Sequence, residues 1–156
     1  ILTSGGRFAG YGFYLLKGKP VWLWNLVDLE RLKCEGAEAL APGRHTIEFD
    51  FKYDGLGAGT LAFNDFSGVG RPAVGTLKVD GKVVDTKPMP KTLPMILQWD
   101  EGFDIGSDTL TGVNDADYKP PFALTATLNK LTLKLDRPQL SPADIKKLEA
   151  AMKSKD

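Results

Sequence analysis

At 156 residues, with 42% hydrophobic and 26% charged content, the chain can bury most of its apolar surface, and no disordered or membrane class is indicated. Twenty acidic side chains balance twenty basic ones, so there is no field to draw it to nucleic acid or to an anionic membrane. A single cysteine, Cys34, excludes an internal disulfide and a multi-cysteine metal site, and it leaves the redox compartment open.

No run approaches the roughly 20 apolar residues of a membrane span. The chain opens without Met or a signal-peptide pattern, and the expectation is of a piece cut from something longer. Residues 1–12 are dominated by small side chains, with Gly5, Gly6, Gly10 and Gly12 around Phe8 and Tyr11, and lead into the first strand. Residues 11–16 and 21–26 flank Lys17-Gly18-Lys19-Pro20, which predicts a hairpin turn because Gly is permissive in φ and Pro20 cannot donate to a ladder. In the return strand the two-residue period puts Trp22, Trp24 and Leu26 on one face and Val21, Leu23 and Asn25 on the other, so both faces are covered. Residues 29–34 form a short strand or bend, and 36–43, with Pro42, a loop.

The run 44–53 is the clearest strand. His45, Ile47, Phe49, Phe51 and Tyr53 alternate with Arg44, Thr46, Glu48, Asp50 and Lys52, the signature of a half-buried strand with the first set inward. Residues 55–59 carry three glycines, and 63–72 is expected to be a long turn. Residues 76–84 alternate on both sides of Asp80-Gly81, a pair that accepts the positive φ values of a type I′ turn, and form a hairpin. Pro88, Pro90 and Pro94 break the chain before 95–99. Residues 100–118 are acidic and glycine-bearing, hence a surface loop, and 122–135 alternate as a final long strand.

The end of the chain departs from this pattern. Ser141 is a good N-cap, Pro142 suits the first helical position and Asp144 completes a partial capping box. Ile145, Leu148 and Met152 then fall on one stripe, so a short amphipathic helix is expected over 142–153, docked on its own sandwich or on another domain. One-sided strands must bury their apolar faces against a second layer, and the expected fold is a single all-β domain over 1–156, an antiparallel β-sandwich with a short C-terminal helix.

Candidate chemistry is mostly excluded. His45, the sole histidine, sits on the inward face of its strand and reads as a satisfied core residue rather than a base, which removes a Ser-His-Asp centre elsewhere. Cys34 has no second thiol or histidine near it in sequence and reads as a buried free thiol. Gly57-Ala58-Gly59-Thr60-Leu61-Ala62 matches a dinucleotide fingerprint, but Phe63-Asn64-Asp65-Phe66-Ser67-Gly68 cannot open the helix that the fingerprint requires. Glu48-Phe49-Asp50-Phe51-Lys52 resembles the strand signature of sandwich-fold glucanases, in which the third polar position is an acid. Lys52 there removes one carboxylate of the pair that retaining hydrolysis needs. Asp100, Glu101, Asp104, Asp108, Asp115 and Asp117 supply enough oxygens for a calcium site, with Asp104 and Asp108 the candidates, yet their spacing fits no EF-hand register. Trp22 and Trp24 would stack on a sugar ring if their face were open.

A family resemblance rests on an ordered set of runs. Gly5-Gly6-Arg7-Phe8 comes first, then Lys17-Gly18-Lys19-Pro20-Val21 running to Asn25. Pro42-Gly43-Arg44-His45-Thr46-Ile47-Glu48-Phe49-Asp50-Phe51 follows with Tyr53-Asp54-Gly55, then Leu77-Lys78-Val79-Asp80-Gly81-Lys82. Asp100-Glu101-Gly102-Phe103-Asp104-Ile105-Gly106-Ser107-Asp108-Thr109 and the run 128–135 close the set. Over nearly its whole length the chain resembles the C-terminal region of large bacterial arylsulfatases, and it is longer than that pattern between residues 61 and 74.

The resemblance implies a jelly-roll sandwich similar to laminin G and concanavalin-like domains. It also implies a parent that hydrolyses sulfate esters with calcium and a formylglycine made from the cysteine of a Cys-x-Pro-x-Arg run. That run is absent here, since Cys34 is followed by Glu35-Gly36-Ala37-Glu38. On this reading the chain has no catalytic, cofactor-binding or metal residues of its own. Its partner is the N-terminal sulfatase domain of the same polypeptide or a second copy, in the bacterial periplasm or cytoplasm. The alternatives are a carbohydrate-binding, lectin-like module that uses Trp22 and Trp24, and a sandwich-fold glycoside hydrolase.

Overall fold

The computed structural model describes residues 1–54, 72–92, 101–135 and 141–153. In chain order the elements are β1 (Leu2–Gly5), β2 (Ala9–Leu16), β3 (Lys19–Leu26), β4 (Glu30–Glu35), β5 (Ile47–Tyr53), β6 (Ala73–Val79) and β7 (Lys82–Met89). They continue with β8 (Phe103–Ile105), β9 (Ser107–Asp108), β10 (Phe122–Ala123) and α1 (Pro142–Lys153). The strands form a five-stranded antiparallel sheet ordered β4-β3-β2-β1-β8, a three-stranded sheet ordered β5-β6-β7 and the small pair β10-β9. The expectation of an all-β, antiparallel sandwich holds.

Two tight turns set the registers. Lys17 and Gly18 take φ of 51° and 81°, and Asp80 and Gly81 take 49° and 78°, so both hairpins close on two residues in the left-handed region, as a type I′ turn requires. Pro20 is expected in the first of these turns. It lies instead in β3, opposite Leu15. Its carbonyl accepts from the Gly36 amide at 2.9 Å, which means that its nitrogen also faces the β4 side, and the β2–β3 ladder loses no donor. Pro88 likewise does not break the chain before 95–99. It pairs with Val74 at the outer strand of the smaller sheet, where proline is tolerated. A shift in register between Leu77 and Lys78 leaves Val84 as the extra residue of a bulge, which accounts for the consecutive Val83 and Val84 in an otherwise alternating run.

The sandwich core lies between the two sheets. Trp22, Trp24 and Leu26 of β3, with Leu2, Phe13 and Cys34, pack against Ala73, Leu77 and Met89 of the smaller sheet, and Ile47, Phe49 and Tyr53 close the side. Leu77 and Met89 are fully buried and stabilise the fold by about 1.5–3 kcal/mol each on transfer grounds. Phe51 shares the inward parity of Phe49 yet stays 47% exposed.

The opposite face of the five-stranded sheet has its own cover. Tyr14, Val21 and Leu23 pack under Val113, Tyr118 and Phe122, with Tyr118 stacked on Phe122 at 4.2 Å and Tyr14 edge-on to Tyr118 at 5.1 Å. Residues 101–118 are therefore not the expected surface loop. They add the edge strand β8 and a buried lid, because the outward residues of β3 are apolar and need a second layer.

The expected long strand over 122–135 is corrected as well. Among the described residues, its paired part is Phe122 and Ala123, with Asp108 and Ser107. Leu131 packs at the sandwich core, while Leu133 and Leu135 are exposed. Alternation marks which side chains would share a face, but a ladder forms only where a neighbouring edge is in register. The helix spans the residues expected, its first turn closed by the Ile145 amide donating to the Ser141 carbonyl at 3.0 Å. The readings for 55–71 and 93–100, including the glycine-rich fingerprint and the run 95–99, lie outside the described residues.

Candidate functional site

The residues singled out from the sequence do not converge. Cys34 is buried between β4 and β7, and burial first, with the Asp85 carboxylate second, pushes its thiol up to about 11 against the pull of Lys87. Such a thiol is almost wholly protonated near neutral pH and is a poor nucleophile. Trp22 and Trp24, the residues considered for a sugar ring, are 7% and 3% exposed, and Trp22 is sandwiched against Phe49. Neither has the open ring face that stacking on a saccharide requires.

His45 is not the core residue that its parity suggests. The β5 ladder begins at Ile47, opposite Val79, so His45 lies beyond the paired strand, and nearby acceptors rather than the pleat orient its ring. Glu48, Asp50 and Lys52 lie on the exposed face of the smaller sheet. Glu48 faces Lys78 across the ladder and Asp50 holds the Lys78 ammonium. That bond raises the lysine pKa, and the face is a field of alternating, solvated charge rather than an acid pair.

The acidic segment divides its carboxylates among separate partners. Asp104 accepts from the Thr109 amide at 3.0 Å and from its hydroxyl at 2.9 Å. Asp108 is buried and accepts from the Tyr118 hydroxyl at 2.5 Å. Burial raises the Asp108 pKa most, the Tyr118 bond opposes this, and the charges of Glu101 and Asp104 add to the rise. Glu101 holds the Thr111 amide and hydroxyl, Asp115 pairs with Arg7 at 2.8 Å, and Asp117 accepts from Tyr14 and Lys33. Among the described residues no three His, Cys, Asp or Glu side chains gather around one point, so Asp104 and Asp108 have no third ligand there.

A surface recess lies at one end of the larger sheet. About 490 Å³ in volume, it is lined by Arg7, Leu110, Thr111, Gly112, Asp115, Lys119 and Pro120. The Arg7 amide donates to Thr111 Oγ1 at 2.9 Å, which joins the β1–β2 turn to the lid. Leu110 in its lining is 65% exposed, and Phe8 in the β1–β2 turn and Leu29 before β4 are 60% and 87% exposed.

Asn25 organises this end, a role the sequence reading did not assign. Fully buried, it donates through Nδ2 to the Gly6 and Arg7 carbonyls at 3.0 and 2.8 Å and accepts the Asp28 amide at 3.1 Å. It thereby clamps the β1–β2 turn to the corner where Val27 and Asp28 take φ of 50° and 61°. Its one signal in the sequence is a lone amide in the apolar run 21–26. A scan of protein-family models, curated proteins and solved structures gives no match to the chain.

Proposed function

We propose that the chain is a non-catalytic accessory domain, the C-terminal domain of a bacterial arylsulfatase whose remaining part hydrolyses sulfate esters. The shared runs support this reading by where they fall. Gly5-Gly6-Arg7-Phe8 makes the β1–β2 turn, Lys17-Gly18 and Asp80-Gly81 make the two hairpin turns, and residues 103–108 make β8 and β9. Runs of this kind specify a scaffold rather than a reaction. The jelly-roll, concanavalin-like connectivity is part of the same proposal, as are the parent's calcium and formylglycine.

The burial of Trp22 and Trp24 is the observation that carries an accessory role over a sugar-binding one. The exposed apolar side chains at Phe8, Leu29 and Leu110 are suited to contact another domain of the same polypeptide or a second copy.

The test has two arms. Sequence upstream of Ile1 is expected to encode an α/β sulfatase domain, and deleting residues 1–156 from that polypeptide is expected to lower its solubility or its turnover of a chromogenic aryl sulfate. The purified chain alone is expected to give no turnover and no tryptophan quenching with sulfated or neutral oligosaccharides. Turnover lost on Cys34→Ala would replace the reading with an enzyme, and saturable quenching would replace it with a lectin. The glycoside-hydrolase reading would need glucan cleavage that Glu48→Gln abolishes.

A further inference from the structure

His45 is held between two acceptors. Its Nδ1 is 2.8 Å from Asp80 Oδ2 and its Nε2 is 2.8 Å from the carbonyl oxygen of Ala41. Neither an ionised carboxylate nor a backbone carbonyl has a hydrogen to give, so both bonds exist only if both ring nitrogens carry one. Only the imidazolium does. The neutral ring has a single N–H and must leave one acceptor facing a lone pair.

We propose that His45 is a proton-operated tie between the loop 41–45 and the Asp80-Gly81 turn, closed while the ring is doubly protonated and Asp80 ionised, and released on the Ala41 side when the ring loses a proton. The direction of release follows from acceptor strength. A carboxylate holds a donor more strongly than an amide carbonyl, so the remaining proton stays on Nδ1 and the Ala41 contact is lost.

The surroundings confine the effect to a few residues. Before the loop, the Leu40 amide donates to the Gly18 carbonyl at 2.9 Å. After it, Asp80 accepts from the Thr46 amide at 2.8 Å through Oδ1, and the Asp80 amide donates back to the Thr46 carbonyl at 2.8 Å. Neither anchor needs a histidine proton. Between them residues 41–44 are exposed, and Gly43 takes a φ of 143°.

Among the described residues, the charges that bear on the cluster are few. Asp80 faces the ring from the β6–β7 turn, Lys82 acts on Asp80, Arg44 is the ring's neighbour in sequence, and the loop contributes the Ala41 carbonyl. The Asp80 bond and then the Ala41 bond raise the histidine pKa, while the Thr46 amide and then His45 lower that of Asp80. The tie is therefore closed over a window bounded below by the Asp80 ionisation and above by that of His45.

With one histidine in the chain, its ring signals need no assignment. The test is an NMR titration of the whole chain from about pH 5 to about pH 9, spanning the histidine range. The expected midpoint lies above the ordinary histidine value of about 6.5. Ring ¹⁵N shifts should show two protonated nitrogens below the midpoint and Nδ1 protonated above it. Backbone ¹⁵N relaxation should report faster, wider motion of Gly43 and Arg44 above the midpoint, with Leu40 and Thr46 unchanged. Asp80→Asn keeps the turn, since Asn-Gly is a favoured type I′ pair, and should bring the midpoint back toward about 6.5. His45→Gln should make the motion of Gly43 independent of pH. A midpoint at or below the ordinary value, a proton retained on Nε2, or flat relaxation at Gly43 across the titration would each overturn the proposal.

Discussion

The Trp22 indole of β3 and the Phe49 ring of β5 lie face to face across the sandwich, with centroids 3.9 Å apart and planes 9° from parallel. The contact joins the two sheets, and Gly75 makes room for it, because a Cβ there would sit 2.7 Å from Phe49 Cζ. Stacked rings of this kind add about 0.5–1.5 kcal/mol to the area they bury.

Truncating this pair separates inter-sheet packing from mere alternation. Trp22→Ala should destabilise by about 3–5 kcal/mol and Phe49→Ala, at a half-buried position, by about 2–3 kcal/mol. Phe51→Ala has the same parity but an exposed ring and should cost under about 1 kcal/mol. Urea unfolding of the three variants checks the order, and equal costs at Phe49 and Phe51 would contradict it.

Gly5 tests the first turn. Its φ is 72°, and a Cβ would lie 2.1 Å from the Ala9 carbonyl oxygen, a backbone atom that cannot swing away. Gly5→Ala should therefore cost at least about 2 kcal/mol through strain and overlap. Gly102→Ala meets nothing within 4 Å and should stay within about 0.5 kcal/mol. Thermal melts of both variants provide the comparison, and similar midpoints would count against the turn geometry.

Asp117 gives the outer core a defined acid dependence. Burial works to raise its pKa, but the Lys33 and Tyr14 hydrogen bonds outweigh it and leave the carboxyl below its ordinary range. Its stabilisation is thus present above the unfolded-state value of about 3.9 and is lost as pH falls through the lower folded value. Asp117→Asn should cost about 1–2 kcal/mol near neutrality, and the gap should close in strong acid. A gap of constant size from neutral pH to about pH 2 would assign the effect to packing rather than charge.

Cys34 should be inert until the sandwich opens. With its thiol pushed up to about 11, the thiolate fraction near pH 8 is on the order of one in a thousand, and the sulfur is buried as well. Labelling with a chromogenic aryl disulfide should be at least about a hundredfold slower in buffer than in denaturant. Equal rates would mean that the β4–β7 edge opens readily.

The amino-acid sequence by itself determined the features that depend on neighbours a few residues away. Alternation marked the two faces of β3 and the parity of β5, Asp80-Gly81 and Lys17-Gly18 marked turns that need positive φ, and Ser141-Pro142 marked the start of α1. These follow from the period of the strand and from the steric limits on φ, both local properties of the chain. Only the tertiary structure decided which edges pair and what covers each face. Among the described residues, Pro20 lies just past the Val21–Glu35 pair that ends the β3–β4 ladder, and Pro88 lies on β7, an outer strand of the smaller sheet. Residues 110–118 become a lid because Tyr14, Val21 and Leu23 face outward and need cover. Asn25 acts on turns that come together only when β2 folds back on β3. His45 finds its partner in Asp80, remote in sequence, where the β6–β7 turn is brought beside the start of β5. Such contacts depend on how the sheets stack and register, and a pattern of period two carries no information about a partner that distant.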